Sequence, residues 1–458
     1  MSSNNRHTLP RMPERFAPSP MPIQFLLVLA LAVFAAAMAP RTAAGATATW
    51  DGGGGDAIWG TANNWNPNGV PTFDNTLDVV FNTVGAAGLV NAIGVNRTIR
   101  SLTFTADADA NVTIHTAATA VPATARVLTF DADVGNATVT VDSGAAGSFV
   151  IGTGVGSITL VDTLAVNVND VGEVRFDRPV SGVGGITKNG IGRLFLRQSN
   201  FYTGATTINA GVVCTGGNTG GFGDAATSGP MYLNGGTIAN SSATSRPIYN
   251  NVTMGGDFAI GGHPSYGSGL LTFSGMFNLG AATRVLTVNS PVTISGVVSS
   301  GGLTKAGSAL LTLSGVNTYT GDTTISAGTL TLEDNAQLKF VIGASGVNNK
   351  LAGTGTLNLN GDFNFDLSGA SSNAGDSWLV VDVGTLAATF GSTFTVVGFT
   401  DNLDNTWSSG SYRFSELTGS LVVVPEPNAL TLLGLGLTVA WAARRQRLHA
   451  AAGSDRTN

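Results

Sequence analysis

Residues 301–332 read GGLTKAGSALLTLSGVNTYTGDTTISAGTLTL, and the fold is decided in this stretch. Leu311 and Leu313, then Leu330 and Leu332, alternate with Thr312 and Thr331, while Ile325 closes a Thr-Thr-Ile run. A period of two is that of a β-strand, so leucine and isoleucine are expected to face inward and threonine outward. Gly307, Gly315, Gly321 and Gly328 mark the corners, where a positive φ or a close backbone approach excludes a β-carbon. Strands this short cannot stand alone; they gain stability only by stacking rung upon rung around a shared core.

The same pattern occurs earlier in the chain. Gly184 through Val213 aligns without gaps on Gly301 through Leu330 at an offset of 117 residues, and sixteen of the thirty aligned positions are identical. Such agreement is an internal repeat rather than shared composition. Composition extends the reading to the rest of the body: of 458 residues 62 are glycine, 43% are apolar and only 11% are charged. The charged share is less than half of the globular norm, yet the apolar share is too high for disorder. Over residues 47–424 there are 14 lysines and arginines against 25 aspartates and glutamates, a net charge of −11. An acidic surface repels phosphate backbones, so nucleic acid is not expected as a partner. The lone Cys214 permits no intramolecular disulfide and is read as a small buried residue.

With these residues in view, the unit resembles the autotransporter-associated β-strand repeat: Gly-Gly-Leu-Thr-Lys, Leu-Thr-Leu-Ser-Gly, Asn-Thr-Tyr-Thr-Gly, Thr-Thr-Ile and Ala-Gly-Thr-Leu all stand within 301–330. The first copy departs from it at Arg193, Phe195, Arg197 and Gln198. The resemblance implies an all-β chain built as an elongated right-handed parallel β-helix, or solenoid. At ~25 residues per rung it would have on the order of 15 rungs. Autotransporters of that family end in a membrane β-barrel, whereas this chain ends differently and is not expected to export itself.

Both ends read as addresses. Arg6, Arg11 and Arg15 precede an apolar run from Phe25 to Ala39, followed by small residues. This is the order of a secretory signal peptide, a helix expected over 1–46, with cleavage after Ala44-Gly45-Ala46 by a signal peptidase following Sec-type export. At the other end Pro425-Glu426-Pro427 precedes the apolar run Ala429 to Ala443 and then Arg444, Arg445 and Arg447. Fifteen helical residues reach about 22 Å, a short transmembrane helix with its arginines cytoplasmic. This tripartite arrangement resembles the PEP-CTERM sorting signal. The resemblance implies processing near the motif by an exosortase-type transpeptidase and a host that makes extracellular polysaccharide.

Between these addresses an N-terminal aromatic cap is expected over 47–89, around Trp50, Trp59 and Trp65; stacking of sugars on exposed indoles is the sharper alternative. The solenoid is assigned to 90–351, a small β-rich C-terminal cap to 352–424, the sorting signal to 425–447 and a disordered tail to 448–458.

A search for chemistry is less productive. Asp107 and Asp109, with Asp131 and Asp133, read as corner residues before they read as a calcium or catalytic site. His115 and His263 have no neighbouring ligands at metal spacing, Lys188 and Lys305 occupy equivalent repeat positions and read as solvated, and no phosphate loop or nucleophile motif is found. No catalytic, cofactor or metal residue is therefore assigned. The sequence predicts an exported, non-enzymatic structural or adhesive protein of the cell envelope or matrix, transiently anchored by its C-terminal helix. Its partners would be the export and processing enzymes and polysaccharide. A carbohydrate-active enzyme on the same scaffold is the alternative, which a cluster of Asp, Glu, Arg or Lys on adjacent rungs would favour.

Overall fold

The computed structural model describes residues 45–119, 124–217, 221–223, 228–262 and 268–425, and the body they form is β throughout apart from one short turn of 3-10 helix at Ala62–Asn64. Its strands fall into three sheets that the chain visits in turn. The first runs from Thr47–Trp50 to Val298–Ser299 and has twelve strands, and the second runs from Val90–Ala92 to Leu351–Gly353, also with twelve. The third comes in two parts, five strands ending at Phe201–Tyr202 and seven from Arg246–Ile248 to Ala387–Phe390. One circuit shows the rule. Ala137–Val141 lies in the first sheet, Ser148–Thr153 in the second and Ser157–Leu160 in the third; Leu164–Val168 then returns to pair in parallel on Ala137–Val141. This is the parallel β-helix that the resemblance implied, built from the stacked strands that the alternation predicted.

The alternation sets the core. In Ala137–Val141 the residues Ala137, Val139 and Val141 are buried, while Thr138 and Thr140 face out. Parallel register then stacks like on like: Phe81, Phe104, Val141 and Val168 form one inward column across four rungs. Phe104 also stacks on Phe149 of the second sheet, with ring centroids 4.0 Å apart. Each such side chain contributes roughly 1.5–3 kcal/mol by leaving water, which no single three- or four-residue strand could accumulate.

The parallel ladder passes the limits expected for it. Thr47–Trp50 already pairs in parallel with Asp78–Phe81, and at the far end Thr356–Leu359 and Ala387–Phe390 continue the third sheet. Twelve strands at ~4.8 Å give a length of roughly 50 Å, with isolated pairings at Ile58 and Val381 adding a level at each end of the second sheet. Both ends are closed. Trp65–Asn66 pairs antiparallel to Thr47–Trp50, and Trp50, Trp59 and Trp65 are fully buried beneath it. Their indole N–H groups donate to the Ala87 carbonyl, the Asn91 Oδ1 and the Trp59 carbonyl. Interior indoles cannot stack on sugars, so that alternative fails. At the other end an antiparallel sheet of Ser377–Leu379, Thr400–Asp401, Thr406–Ser409, Tyr412–Ser415 and Ser420–Val423 covers a cluster around Phe363, Phe394 and Phe414. Both devices end the ladder where open strand edges would pair with other chains.

The two repeat copies occupy different faces. Ile186–Asn189 of the first lies in the first sheet, whereas Gly302–Ala306 of the second lies in the second sheet. Within each copy the Thr-Thr-Ile strand stacks directly on the Thr-Lys strand twenty residues earlier, Ile186 opposite Thr206 and Leu303 opposite Thr323.

Candidate functional site

The identical positions of the repeat build its corners, and here the structure corrects two expectations. Lys188 and Lys305 are not solvated: both are 0% exposed. The Nζ of Lys305 donates to the carbonyls of Gly307 at 2.6 Å and Ala327 at 2.9 Å, and that of Lys188 donates to Asn189 at 2.6 Å and Gly190 at 2.7 Å. Each lysine sits at the end of its strand, where the backbone turns and its carbonyls have no sheet partner, so an ammonium is drawn inward to satisfy them. Burial nonetheless pulls the pKa of both lysines down to about 8. Gly328, at φ +68°, lies against this staple; a β-carbon there would come within 2.6 Å of Lys305 Nζ.

The first threonine of Thr-Thr-Ile, expected to face outward, points inward in both copies. Thr206 shares a hydrogen bond with the Tyr202 hydroxyl at 2.7 Å, and Thr323 with that of Tyr319 at 2.6 Å. Asn200 accepts from the Val180 amide and donates to the Gly221 carbonyl; Asn317 accepts from Val298 and donates to Gly315 and Gln337. The lysine, asparagine, tyrosine and threonine of the motif thus spend their polar atoms on the coil's own hydrogen bonds.

The outward rows are hydroxyl and amide ladders. On the first sheet Thr187, Thr207, Tyr232, Thr253, Asn278 and Ser299 stand in register, and on the third Thr272 and Thr293 do so, the column continuing to Thr312 and Thr331, which are buried. At the edge of the first sheet Asn167, Asn189, Asn209 and Asn234 stack, each Nδ2 donating to the preceding Oδ1 at 2.8–2.9 Å.

One region breaks this uncharged texture. Glu173–Phe176 and Arg193–Leu196 are adjacent strands of the second sheet, with Glu173 opposite Arg193 and Arg175 opposite Phe195. They and the residues just beyond them present Glu173, Arg175, Asp177, Arg178, Arg193 and Arg197. Arg175 lies 3.2 Å from Asp177, Arg197 lies 3.6 Å from Asp177 and Arg193 lies 3.7 Å from Glu173, which also accepts from Ser148. The side chains of Arg175, Arg193 and Arg197 are 28%, 33% and 52% exposed. The Nε atoms of Arg175 and Arg178 are covered and make no hydrogen bond. Three arginines against two carboxylates, Arg175, Arg193 and Arg197 with Glu173 and Asp177, make this cluster net positive on a body of net charge −11. The sequence carried the signal: the first repeat copy has Arg193, Phe195 and Arg197 where the second has Leu310, Thr312 and Ser314.

The other singled-out residues are not brought together. Asp109 accepts from Thr83 Oγ1 at 2.9 Å, and Asp133 lies 3.8 Å from Arg100, itself anchored on Asp78. Burial, and then the neighbouring carboxyl of Asp162 that shares a hydrogen bond with it, push the Asp131 carboxyl up. His115 is half-buried against Thr153, and burial draws its pKa down. Cys214 is buried with Phe195 and Ala239, which pushes its thiol up to about 12. Among the described residues no three His, Cys, Asp or Glu side chains gather as a metal ion would require. His263 lies outside the described residues.

Of the processing residues, Ala46 is exposed immediately before the first strand, and Pro425 is exposed immediately after the last. Ala44, Glu426, Pro427, Arg444 and Arg445 lie outside the described residues, as do the expected signal and membrane helices.

Comparison with known proteins agrees with this layout. Residues 186–213 and 303–332 match the passenger-associated-transport-repeat, and residues 423–447 match the PEP-CTERM protein-sorting motif. No curated protein and no solved structure matches the chain. The sorting motif implies processing by exosortase-type machinery, and it starts where the closing sheet ends. The chain thus carries a PEP-CTERM sorting motif and two passenger-associated repeats on a β-helical body, and these motifs imply export to the cell envelope or surface.

Proposed function

We propose that this protein is a non-enzymatic display rod. It is led out by a signal peptide cut after Ala46, held briefly by its C-terminal helix, and freed or transferred when the chain is processed at the Pro425 motif. The capped coil then presents its hydroxyl and amide rows to extracellular polysaccharide or to neighbouring surface proteins. The observation that carries this reading is the continuity of those rows on a scaffold closed at both ends, so that the solvent face is the part left to interact. Intact mass measurement of the mature protein from its host tests the processing: a product starting at Thr47 and lacking Arg444 to Arg447 is expected. Retention of the arginines would sink the anchoring scheme.

The charged patch on adjacent rungs favours one alternative, a carbohydrate-active enzyme. Its geometry argues for binding instead. Glu173 on its strand and Asp177 just beyond it are both held by arginines, Arg193 on the first and Arg175 and Arg197 on the second, which leaves neither free to act as a general acid. Asp131 and Asp162, which share a hydrogen bond, are too close for the ~5–9.5 Å that glycosidase carboxylate pairs span. Incubation of the mature protein with acidic and neutral glycans, read by reducing-end release and by ultraviolet absorbance of unsaturated products, is expected to show no cleavage. Depolymerisation of either would replace the rod with the enzyme.

A further inference from the structure

We infer that the arginine patch on the second sheet is a binding site for an acidic polysaccharide, a uronate polymer in particular; this deepens the display reading and rests on it. Three observations carry the inference. First, Arg175, Arg193 and Arg197 gather on two adjacent rungs in a body that is charge-poor and acidic, around the two carboxylates of Glu173 and Asp177. Second, the patch does not satisfy itself. Arg197 is 52% exposed and its Nε stands 3.6 Å from Asp177, beyond hydrogen-bond length, so its guanidinium faces solvent with room for a further acceptor. Third, the guanidinium groups are partly buried and positioned by Glu173 and Asp177, so little side-chain freedom remains to be lost on binding.

The shape and charge of the surface choose the ligand. Planar forks of N–H donors match carboxylates in bidentate fashion. On the second sheet the rungs after the patch are covered at Phe195, Cys214 and Ala239, while the preceding rungs are half-open at Val150 and Thr113, so a linear chain would run from the arginines towards those earlier rungs, where a small molecule would find no enclosure. A nucleic acid, with one charge per ~1.7 Å, would meet the repulsion of the acidic body within a Debye length of ~10 Å on either side. A polyuronate carries one carboxylate per sugar; a few sugars meet the arginines while the others lay hydroxyls on the neighbouring polar rows.

The test uses the mature full-length protein, with polygalacturonate and dextran as probes, at 50 and 300 mM salt. Wild type is expected to bind polygalacturonate at the lower salt and to lose at least tenfold in affinity at the higher. R193Q/R197Q, with an unchanged unfolding midpoint, is expected to lose at least tenfold at 50 mM salt. Glu173→Gln adds net positive charge and is expected to tighten polygalacturonate binding severalfold, a result that a structural role for the arginines would not produce. Equal polygalacturonate binding by R193Q/R197Q, or no tightening in Glu173→Gln, overturns the site even if dextran is still held and the display reading stands. If wild type holds neither polymer and no host matrix material, the display reading itself fails.

Discussion

Replacing Asn317 with alanine tests the corner network at its most constrained point. The side chain is 1% exposed; its Oδ1 accepts from the Val298 amide at 3.0 Å, and its Nδ2 donates to the carbonyls of Gly315 at 2.9 Å and Gln337 at 3.0 Å. Those two carbonyls keep other donors in the variant, since Gly315 also accepts from the Gln337 amide and Gln337 also accepts from the Asn317 amide. The Val298 N–H loses the only acceptor seen for it. An orphaned buried donor costs about 1–3 kcal/mol, and two further bonds contribute about 0.5–1.5 kcal/mol each, so a loss of about 3–4 kcal/mol is expected. Thr293→Ala, on an outward row, should change stability by no more than about 0.5 kcal/mol. Urea unfolding followed by far-ultraviolet circular dichroism gives the difference, and hydrogen exchange locates it, because the Val298 amide should lose protection first. A loss below about 1 kcal/mol with Val298 still protected would refute the view that buried asparagines hold the corners.

Three further outcomes follow from the buried groups. Lys188 and Lys305 titrate near 8 in the folded protein against an ordinary 10.5, so the unfolded chain binds more protons between those values and stability rises with pH from about 8. Cys214, pushed up to about 12 from 9.0, opposes the rise above pH 9, and Tyr202 and Tyr319, both raised from 10.0, oppose it above pH 10. Melting temperature should therefore peak near pH 10, and a steady decline from pH 8 would contradict the lysine burial. The Cys214 thiol should resist a chromogenic disulfide reagent at pH 8 until denaturant is added; rapid labelling of native protein would show its cover to be open. Iodide should barely quench the fluorescence of the mature protein, since Trp50, Trp59, Trp65 and Trp378 are at most 1% exposed and Trp407 is 8% exposed, and Trp59→Phe should cost about 1–3 kcal/mol by orphaning the Asn91 Oδ1.

The coil was legible because its signal is repeated at every rung: aliphatic residues at period two with glycine between. What the period could not show is which polar residues turn inward. Lys305 and Thr323 fall on the inward phase of their strands, and a rule that sends polar residues to solvent misplaces them. The comparison of the two copies contained the missing information. Aliphatic positions drift, Ile186 to Leu303 and Val213 to Leu330, because a packed core accepts shape-similar exchange. Lysine, asparagine, tyrosine and threonine do not drift, because hydrogen bonds to fixed backbone groups, or between the tyrosine and threonine hydroxyls, tolerate little change of length or atom. The arginine patch was visible as a departure from the repeat, but only register across adjacent strands shows that Glu173 and Arg193 meet.

The rotation of the repeat from one face to the next connects these points. Each corner is completed within two rungs: Lys188 reaches the carbonyls of its own turn and that of Ala210 one rung on, and Asn200 bridges Val180 and Gly221 on either side of it. Nothing in the module depends on which sheet it occupies, so a copy shifted by one face folds as well as a copy shifted by a whole turn. Positions at the second strand also take no part in that corner network: Leu310 and Ser314 in one copy correspond to Arg193 and Arg197 in the other, whereas the position between them is buried in both, as Thr312 and as Phe195. A surface that takes no part in closing the corners can change its chemistry without unmaking the coil, and that is where this chain has placed its arginines.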